Sequence, residues 1–528
     1  MFRSRVLGSR FLSTPTLDTW RRLLRQDRTP LVNVFKPNEL RGTLTPYDLP
    51  GAFDAMRTNT TYPILATLYD LCKAMPWITE QGTPGLLRTG EYTKVVDEMD
   101  NASEAILTMA EHALHDPANT EDTIATLAML KIIYAHLINN YCYQPCRHAL
   151  EQSKDPNRVG RANPVIPAQL AQPRTILCTL FDTEMPLYRW QNYNEYSPAN
   201  CRVLPKDAPE LNQDTVTTMV RGEGSRDEIG FIGNHYVQES RTPKLISACT
   251  DLLAACKHHN ANGAADAYRT AVEAMRHINE VNKQMPQWCS PRGYNQLRIW
   301  IPGPRNHSGH AARDLFPPQG VCFEGSEELG APEYDMSRGE TGAMTTIIKL
   351  ARTMSLFSYD TQTFGENELT LAQRDFDLRR EPAQRMFINR TAARLEEYNA
   401  LKLAHTHPHV WLQLTRLRAQ IIEHNITHYG YSRHYIFENK EASTSALFEA
   451  TGGTTHQFLP TSALANISQT LLEIRQLKTM ATSLDAAEIA ELDAIQERLT
   501  MLEDVTQKQR DKFVHMEEEQ RQHQVEKA

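Results

Sequence analysis

The chain has 528 residues, of which 41% are hydrophobic and 23% are charged, and its formal net charge is −8. This composition is that of a folded chain long enough for a large core plus a smaller domain or extensions, and the scattered basic residues exclude a nucleic-acid surface. Nine cysteines, odd in number and unevenly spaced, exclude a disulfide framework, and the absence of a run of eighteen uncharged apolar residues predicts no membrane span.

The N-terminal segment is arginine-rich. Its first 26 residues contain six arginines and a single acid, Asp18, and the apolar residues are spaced to form one face of a helix. This pattern is typical of a mitochondrial presequence, so we expect residues 1–30 to direct the protein to the mitochondrial matrix. The alternative is an ordinary basic first helix of a cytoplasmic protein.

The middle of the chain alternates between helical and irregular patterns. Residues 31–60 are rich in Pro and Gly and are predicted to lack regular structure, while 61–150 show the spacing of two or three amphipathic helices. Residues 151–228 are predicted to form a connecting region with one helix ending near Trp190. Helical spacing returns over 229–290, and a long loop follows before the next helix. Loops of such length are usually functional.

The last third is predicted to be helical except for one loop. Residues 391–440 indicate one or two long helices, 441–460 a Gly/Thr/Ser loop, and 466–528 a charged helical hairpin. Thr482, Ser483 and Asp485 mark its turn, and a narrow apolar seam follows. That seam predicts either a short coiled coil or docking helix for a protein partner, or a helix packed on its own domain. Strand patterns are scarce, so the fold class is all-α.

One segment, IIEHNITHYGYSRHYIF, concentrates histidines. His424 and His428 stand four residues apart and share one face of a helix, a spacing that suits a divalent-metal pair or one heme ligand with a neighbour. Surface or core-edge histidines are the alternative, and the spacing does not choose between them. Downstream, ATGGTTHQFL pairs glycines with Thr451 and Thr454, which suits a loop closing over an anionic group or a flexible connector.

Together these strings resemble the indoleamine 2,3-dioxygenases and, more distantly, the tryptophan 2,3-dioxygenases. In that family a histidine, six residues and Tyr-Ile precede a GTGGT loop and FL. The matching strings, in the family's order over about residues 60–465, are TILCTLFDTEMPLYRW ending at Trp190, FIGNHYVQE from Phe231, LRIWIPG from Leu297, CFEG from Cys322, GETG from Gly339, PAQRMFI from Pro382, and His428 with Tyr435, Ile436 and Ala450–Thr454.

The resemblance implies a fold and a cofactor. It implies a large heme-binding domain over residues 161–465, a smaller N-terminal helical domain over 31–160 and an added hairpin over 466–528. His428 becomes the proximal ligand of heme b, which leaves a position for O2. The cofactor contacts implied beside it are Gly339, Thr341, Gly342 and Arg385.

The resemblance also implies a substrate site. Arg298 matches the arginine that binds the substrate carboxylate, Thr451 adds a contact from the loop, and His235 falls where tryptophan dioxygenases place a distal histidine against the indole nitrogen. A polar residue at a loop edge is the alternative for His235. The substrate walls implied are Tyr294, Phe231, Phe181 and Thr341, with core packing as the alternative for the phenylalanines.

Several departures leave the substrate open. Asn425 replaces the arginine that faces a heme propionate, Gln384 replaces a histidine, and Gly293 replaces an aromatic residue. The implied reaction is insertion of O2 across the indole C2–C3 bond of tryptophan, giving N-formylkynurenine. The alternatives are a heme enzyme of the same fold with another substrate, and a mitochondrial interaction protein that has lost the chemistry.

Overall fold

The computed structural model describes residues 12–116, 120–152, 160–182, 188–304, 315–337, 345–357, 368–437, 458–480 and 483–527. These residues are predominantly helical, as the sequence predicted, and the all-α class is confirmed. The α-helices are α1 Thr14–Leu23, α2 Thr29–Val32, α3 Leu49–Met56, α4 Pro63–Ala74, α5 Leu86–Thr89, α6 Tyr92–Glu98, α7 Ser103–His115, α8 Thr120–Gln152, α9 Ala168–Phe181, α10 Tyr193–Tyr196, α11 Arg226–Glu239, α12 Pro243–Lys257, α13 Ala261–Asn282, α14 Met285–Trp288, α15 Pro291–Leu297, α16 Thr346–Met354, α17 Glu368–Arg379, α18 Pro382–Glu397, α19 Ala400–Thr406, α20 Pro408–Ser432, α21 Phe458–Thr479 and α22 Ala486–Lys527.

Short strands tie distant loops together. β1 (Val165–Ile166) pairs in parallel with β4 (Val321–Phe323), with Val165 opposite Cys322, and β4 pairs antiparallel with β5 (Tyr334–Asp335). The strands β2 (Cys201–Val203) and β3 (Val216–Thr218) form an antiparallel pair. No helix among the described residues is both long and apolar enough to cross a bilayer.

The first hydrophobic core surrounds α8. This helix is buried around most of its circumference, which fits its apolar residues on every face. The core extends from Trp20 and Leu23 of α1 to Leu329, so it crosses the predicted boundary at residue 160. This core does not separate the two predicted domains, and the domain boundaries stay a prediction.

Residues 31–60 contain more regular structure than we expected. Leu49, Phe53 and Met56 of α3 are buried in the first core. The proline that argued against a helix lies in its first turn, where a missing N–H costs nothing, and the Asp48 carboxylate accepts from Gly51 N at 3.0 Å. The expectation of an irregular segment was wrong because this proline and cap start a helix.

The predicted helix ending near Trp190 ends earlier. Its helical part is α9, which stops at Phe181 and is buried on nearly all sides. The chain then passes through the short α10 and the β2–β3 pair. Packing on α8 explains the difference, because the apolar residues of α9 face protein all round rather than a ligand cavity.

A second core joins the C-terminal half. It is built from α12, α13, α16, α20, α21 and the first part of α22. The α21–α22 hairpin was predicted, and Asp485 caps α22: Glu488 N donates to its carboxylate at 2.8 Å, and Asp485 N donates back to Glu488 at 3.0 Å. Leu492 and Leu499 are buried in this core, so the first half of the seam packs on its own chain. Thr482 lies outside the described residues.

Candidate functional site

The helix α11 carries the predicted distal residues. The Ser225 side chain caps α11 by accepting a hydrogen bond from Glu228 N at 3.2 Å. The acidic residues in the first turn of α11 interact favourably with the positive end of the helix dipole. Phe231 and His235 lie four residues apart and so project on one face. Their rings are 4.7 Å apart between centroids.

His235 is buried and has a defined tautomer. Its Nδ1 lies 2.7 Å from the carbonyl oxygen of Phe231, so Nδ1–H donates and Nε2 keeps a lone pair. Among the described residues nothing hydrogen-bonds Nε2. Burial lowers the pKa of His235 to about 4, so the ring is neutral at physiological pH.

The helix α20 carries His424 and His428. It begins at Pro408, whose fixed φ suits a first turn, and continues into a π-helical turn over Arg433–Phe437, a deformation that is frequent at functional sites. His424 is buried, and its Nδ1 lies 3.0 Å from the Asn279 side-chain oxygen of α13. His428, one turn later, is half-buried, and its side chain has no hydrogen bond to the described residues.

These three histidines come from two helices almost 200 residues apart in sequence, yet they are near enough for their charges to interact. Burial lowers the pKa of His424 to about 3 and that of His428 to about 4, and in both cases repulsion from a charge on His235 adds to the effect. Three neutral imidazoles therefore share one region, and each is in the form that can ligate a metal.

An aromatic cluster borders His235. Tyr294 of α15 lies with its ring 5.2 Å from Phe231 and 5.6 Å from Tyr435 of the π-helical turn. Tyr193 of α10 lies 5.8 Å from the His235 ring. Aromatic pairs at these separations give a rigid apolar wall of the kind that accepts a flat ring.

Sequence reasoning missed the contribution of α10. Tyr193 and Tyr196 belong to the same buried cluster as Tyr294 and Tyr435. The helix has a capping box, in which Asn192 accepts from Glu195 N while Glu195 accepts from Asn192 N. That Asn-x-x-Glu pattern could have located a helix start, but nothing in four residues could have shown that it packs beside His235.

The predicted carboxylate-binding residue is held in a buried turn. Arg298 begins a 3-10 turn over Arg298–Trp300, directly after α15, and is 4% exposed. Near it, Gly293 leaves room for a neighbour: a Cβ there would lie 2.0 Å from Asp227 Cγ. The Asp227 carboxylate thus fills the space of the missing side chain and accepts from Ser290 N at 2.5 Å.

Two predicted residues lie elsewhere. Phe181 packs in the first core, where the Lys131 ammonium lies 5.9 Å from its ring, and the described contacts do not join it to the aromatic cluster. Arg385 of α18 is buried and donates to the carbonyls of Leu378 and Arg380 and to the Asp182 carboxylate. Gly339, Thr341, Gly342 and Thr451 lie outside the described residues.

The residues of this site fit a porphyrin better than a bare metal ion. Within the described part of the chain, no three His, Cys, Asp or Glu side chains lie close enough to hold a metal ion. Heme iron needs only one axial imidazole from the protein, and it needs that imidazole neutral. The neutral imidazoles of His424 and His428 both meet these conditions, and the resemblance to the family points to His428 as the ligand.

Comparison with known families agrees with this geometry. The family model described as Indoleamine 2,3-dioxygenase matches residues 77–360, more than half of the chain. The match contains His235, Tyr294 and Arg298 and ends before His428. No curated protein matches the chain. The chain belongs to the indoleamine 2,3-dioxygenase family, whose members bind heme and act as dioxygenases.

Proposed function

We propose that the protein is a heme b-dependent 2,3-dioxygenase that inserts O2 across the indole C2–C3 bond of tryptophan or a related indole. The product would be of the N-formylkynurenine type. One observation carries the proposal: His235 of α11 and the π-helical turn that follows His428 border one aromatic cluster, which runs from Phe231 through Tyr294 to Tyr435. A heme dioxygenase would need one protein ligand for the iron and further groups that contact the substrate, and these elements carry candidates for both.

His428 would hold the heme iron through its neutral imidazole, and the bound heme supplies the activation of O2. His235 would orient the substrate. Because its Nδ1–H is committed to the Phe231 carbonyl, the free Nε2 is an acceptor, and an indole N–H is a donor of the required kind.

The remaining site residues would bind and enclose the substrate. Phe231 and Tyr294 would pack on the indole face, and Arg298 would pair with the carboxylate through its planar fork of donors. Thr451 and Thr341 are proposed as contacts from the closing loops, with Gly339 and Gly342 at the heme edge. Arg385 could serve the cofactor only while sharing its guanidinium with Asp182.

The experiment supplies heme to the purified protein and records its Soret absorption. We expect His428→Ala to lose the band and His409→Ala to keep it, because His409 is on the same helix but exposed and paired with Glu488. The reduced parent protein, given tryptophan and O2, should yield a product 32 Da heavier than tryptophan. A Soret band of normal intensity in His428→Ala, or no heme uptake by the parent, contradicts the proposal.

We also propose import into the mitochondrial matrix. Trp20 and Leu23 of α1 are buried in the first core, and Arg22 pairs with Glu111 at 2.6 Å. A presequence that extended to residue 30 would remove these contacts, so we expect the mature chain to begin before α1. Import into isolated mitochondria followed by mass analysis of the N-terminus tests this. Failure to enter, or a mature chain beginning after Leu23, contradicts it.

A further inference from the structure

The helix α20 is fixed by α13 on both sides of His428. Before His428, the Asn279 side-chain nitrogen donates to the carbonyl oxygen of Gln420 at 2.9 Å and to the Gln420 side-chain oxygen at 3.1 Å. After His428, the Tyr431 hydroxyl donates to the carbonyl oxygen of Asn282 at 2.9 Å. The stretch of α20 that contains His424 and His428 therefore has a defined position against α13.

The hydrogen bonds of Asn279 decide which ring nitrogen of His424 carries the hydrogen. Because the Asn279 nitrogen donates to two oxygens of Gln420, the atom that Asn279 turns toward His424 is its oxygen, which lies 3.0 Å from Nδ1. An amide oxygen only accepts, so Nδ1–H of His424 is the donor. The Asn282 side-chain nitrogen lies farther from the same Nδ1, at 3.5 Å, and is itself a donor. Nε2 of His424 is therefore an acceptor, and no described residue donates to it.

His428 needs an acceptor of this kind. A neutral imidazole has one nitrogen with a lone pair and one with a hydrogen, so a ring that gives its lone pair to iron must place its N–H elsewhere. Histidines that bind metals almost always donate this N–H to an acceptor, which fixes the ring orientation and makes the ligand more basic. Among the described residues the His428 side chain has no hydrogen bond.

Helix geometry places the acceptor within reach of His428. His424 and His428 are four residues apart on α20, so their Cβ atoms are about 5–6 Å apart and their side chains share one face. Side chains on a helix lean toward its N-terminus, so the His428 ring leans toward His424. His424 is held in place, because it is 3% exposed and donates to Asn279.

We propose that His424 is a positioning residue for the iron ligand, accepting the Nδ1–H of His428 on its Nε2 while its own Nδ1–H donates to Asn279. The inference rests on the proposed function and adds a residue to its heme site. The chain of hydrogen bonds from His428 through His424 to Asn279 holds the plane of the ligand ring. It also increases the electron density that His428 gives to the iron.

The experiment compares the heme-loaded parent with His424→Leu and His424→Gln. Soret titration gives the heme affinity, resonance Raman gives the stretching frequency of the ferrous iron–histidine bond, and potentiometry gives the reduction potential. In His424→Leu, which lacks the acceptor, we expect about tenfold weaker heme binding, a lower stretching frequency and a higher reduction potential. His424→Gln keeps an acceptor and should recover most of all three. His409→Leu is the matched control and should match the parent, because His409 is on the same helix but exposed and paired with Glu488.

The frequency and the potential separate positioning from packing. If both are unchanged in a folded His424→Leu, even with weaker heme binding, the inference is overturned and the proposed function stands. A Soret band lost in His424→Leu and retained in His428→Ala makes His424 the iron ligand and overturns the assignment of both residues. No heme uptake by the parent refutes the proposed function and the inference with it.

Discussion

Two buried polar regions of this protein handle charge in opposite ways. Between α8, α9 and α10, the Lys131 ammonium lies 3.0 Å from Glu195 and 2.6 Å from Glu381, and Arg174 donates to both oxygens of Glu195 at 2.6 and 2.8 Å. Every charge there has a partner. Arg174 and Lys131 depress the pKa of Glu195 to about 2, so the network is ionised at neutral pH.

The histidine region has buried groups without charge. His235 and His428 are neutral, and among the described residues the Nε2 of His235 and the whole His428 ring lack hydrogen-bond partners. Paired buried charges stabilise one arrangement of the chain, while unpaired neutral groups are left available for a ligand. In these two regions, therefore, the paired charges stabilise the architecture, and the unpaired neutral groups are the ones proposed to bind a ligand.

The largest expected effect comes from breaking the ionised network. Lys131→Met leaves two buried carboxylates short of a cation, so we expect a loss of about 3–5 kcal/mol in the free energy of unfolding, measured by denaturant titration. The matched control is Lys206→Met, which removes an exposed pair with Asp48 and should cost less than about 1 kcal/mol. Equal losses in the two variants would break the comparison.

An intermediate effect on the free energy of unfolding is expected at His136, through its pH dependence. Burial lowers its pKa to about 4 from an ordinary value of 6.5, so the unfolded chain binds a proton that the folded chain refuses. Its contribution to stability is present above pH 6.5 and is lost as the pH falls toward 4. In His136→Gln, the drop in unfolding free energy between pH 7 and pH 4 should be smaller by about 2–3 kcal/mol.

The control for this prediction is His258→Gln. His258 is exposed, so that variant should follow the parent's pH dependence. An unchanged pH dependence in His136→Gln would mean that His136 is hydrated in solution.

The smallest effect is expected at the proposed iron ligand. His428→Ala removes a half-buried ring that has no hydrogen bond to the described residues, so in the heme-free protein the free energy of unfolding should change by less than about 1 kcal/mol. Denaturant titration without added heme measures it. A loss as large as that of Lys131→Met would place His428 among the structural groups.

The sequence predicted where the helices lie better than it predicted which helices pack against each other. The four-residue spacing of His424 and His428 is local, and the structure places both on α20 as expected. The proximity of His235 to His428 depends on how α11 packs in the fold, and only the family resemblance pointed to it. Periodicity could not have shown it, because spacing along one helix contains no information about another.

The misplacements have the same physical origin. Phe181 was expected at the substrate wall because its segment resembles one wall of the family's pocket, but an apolar segment also suits a core helix, and α9 is one. Tyr193 and Tyr196 lie in a stretch too short for any periodic signal. The paired network was invisible in the sequence, because Lys131 and Glu381 are 250 residues apart and each has the ordinary character of a surface residue.

The histidine site joins residues from positions 193 to 437, and this spread has a consequence for biosynthesis. A chain that leaves the ribosome or enters the matrix N-terminus first presents α20 late, so cofactor capture cannot guide the early steps of folding. The first core, complete by residue 329, contains neither α20 nor the proposed iron ligand. If His428 is the ligand, only chains that include α20 would bind heme, and shorter products would lack its colour.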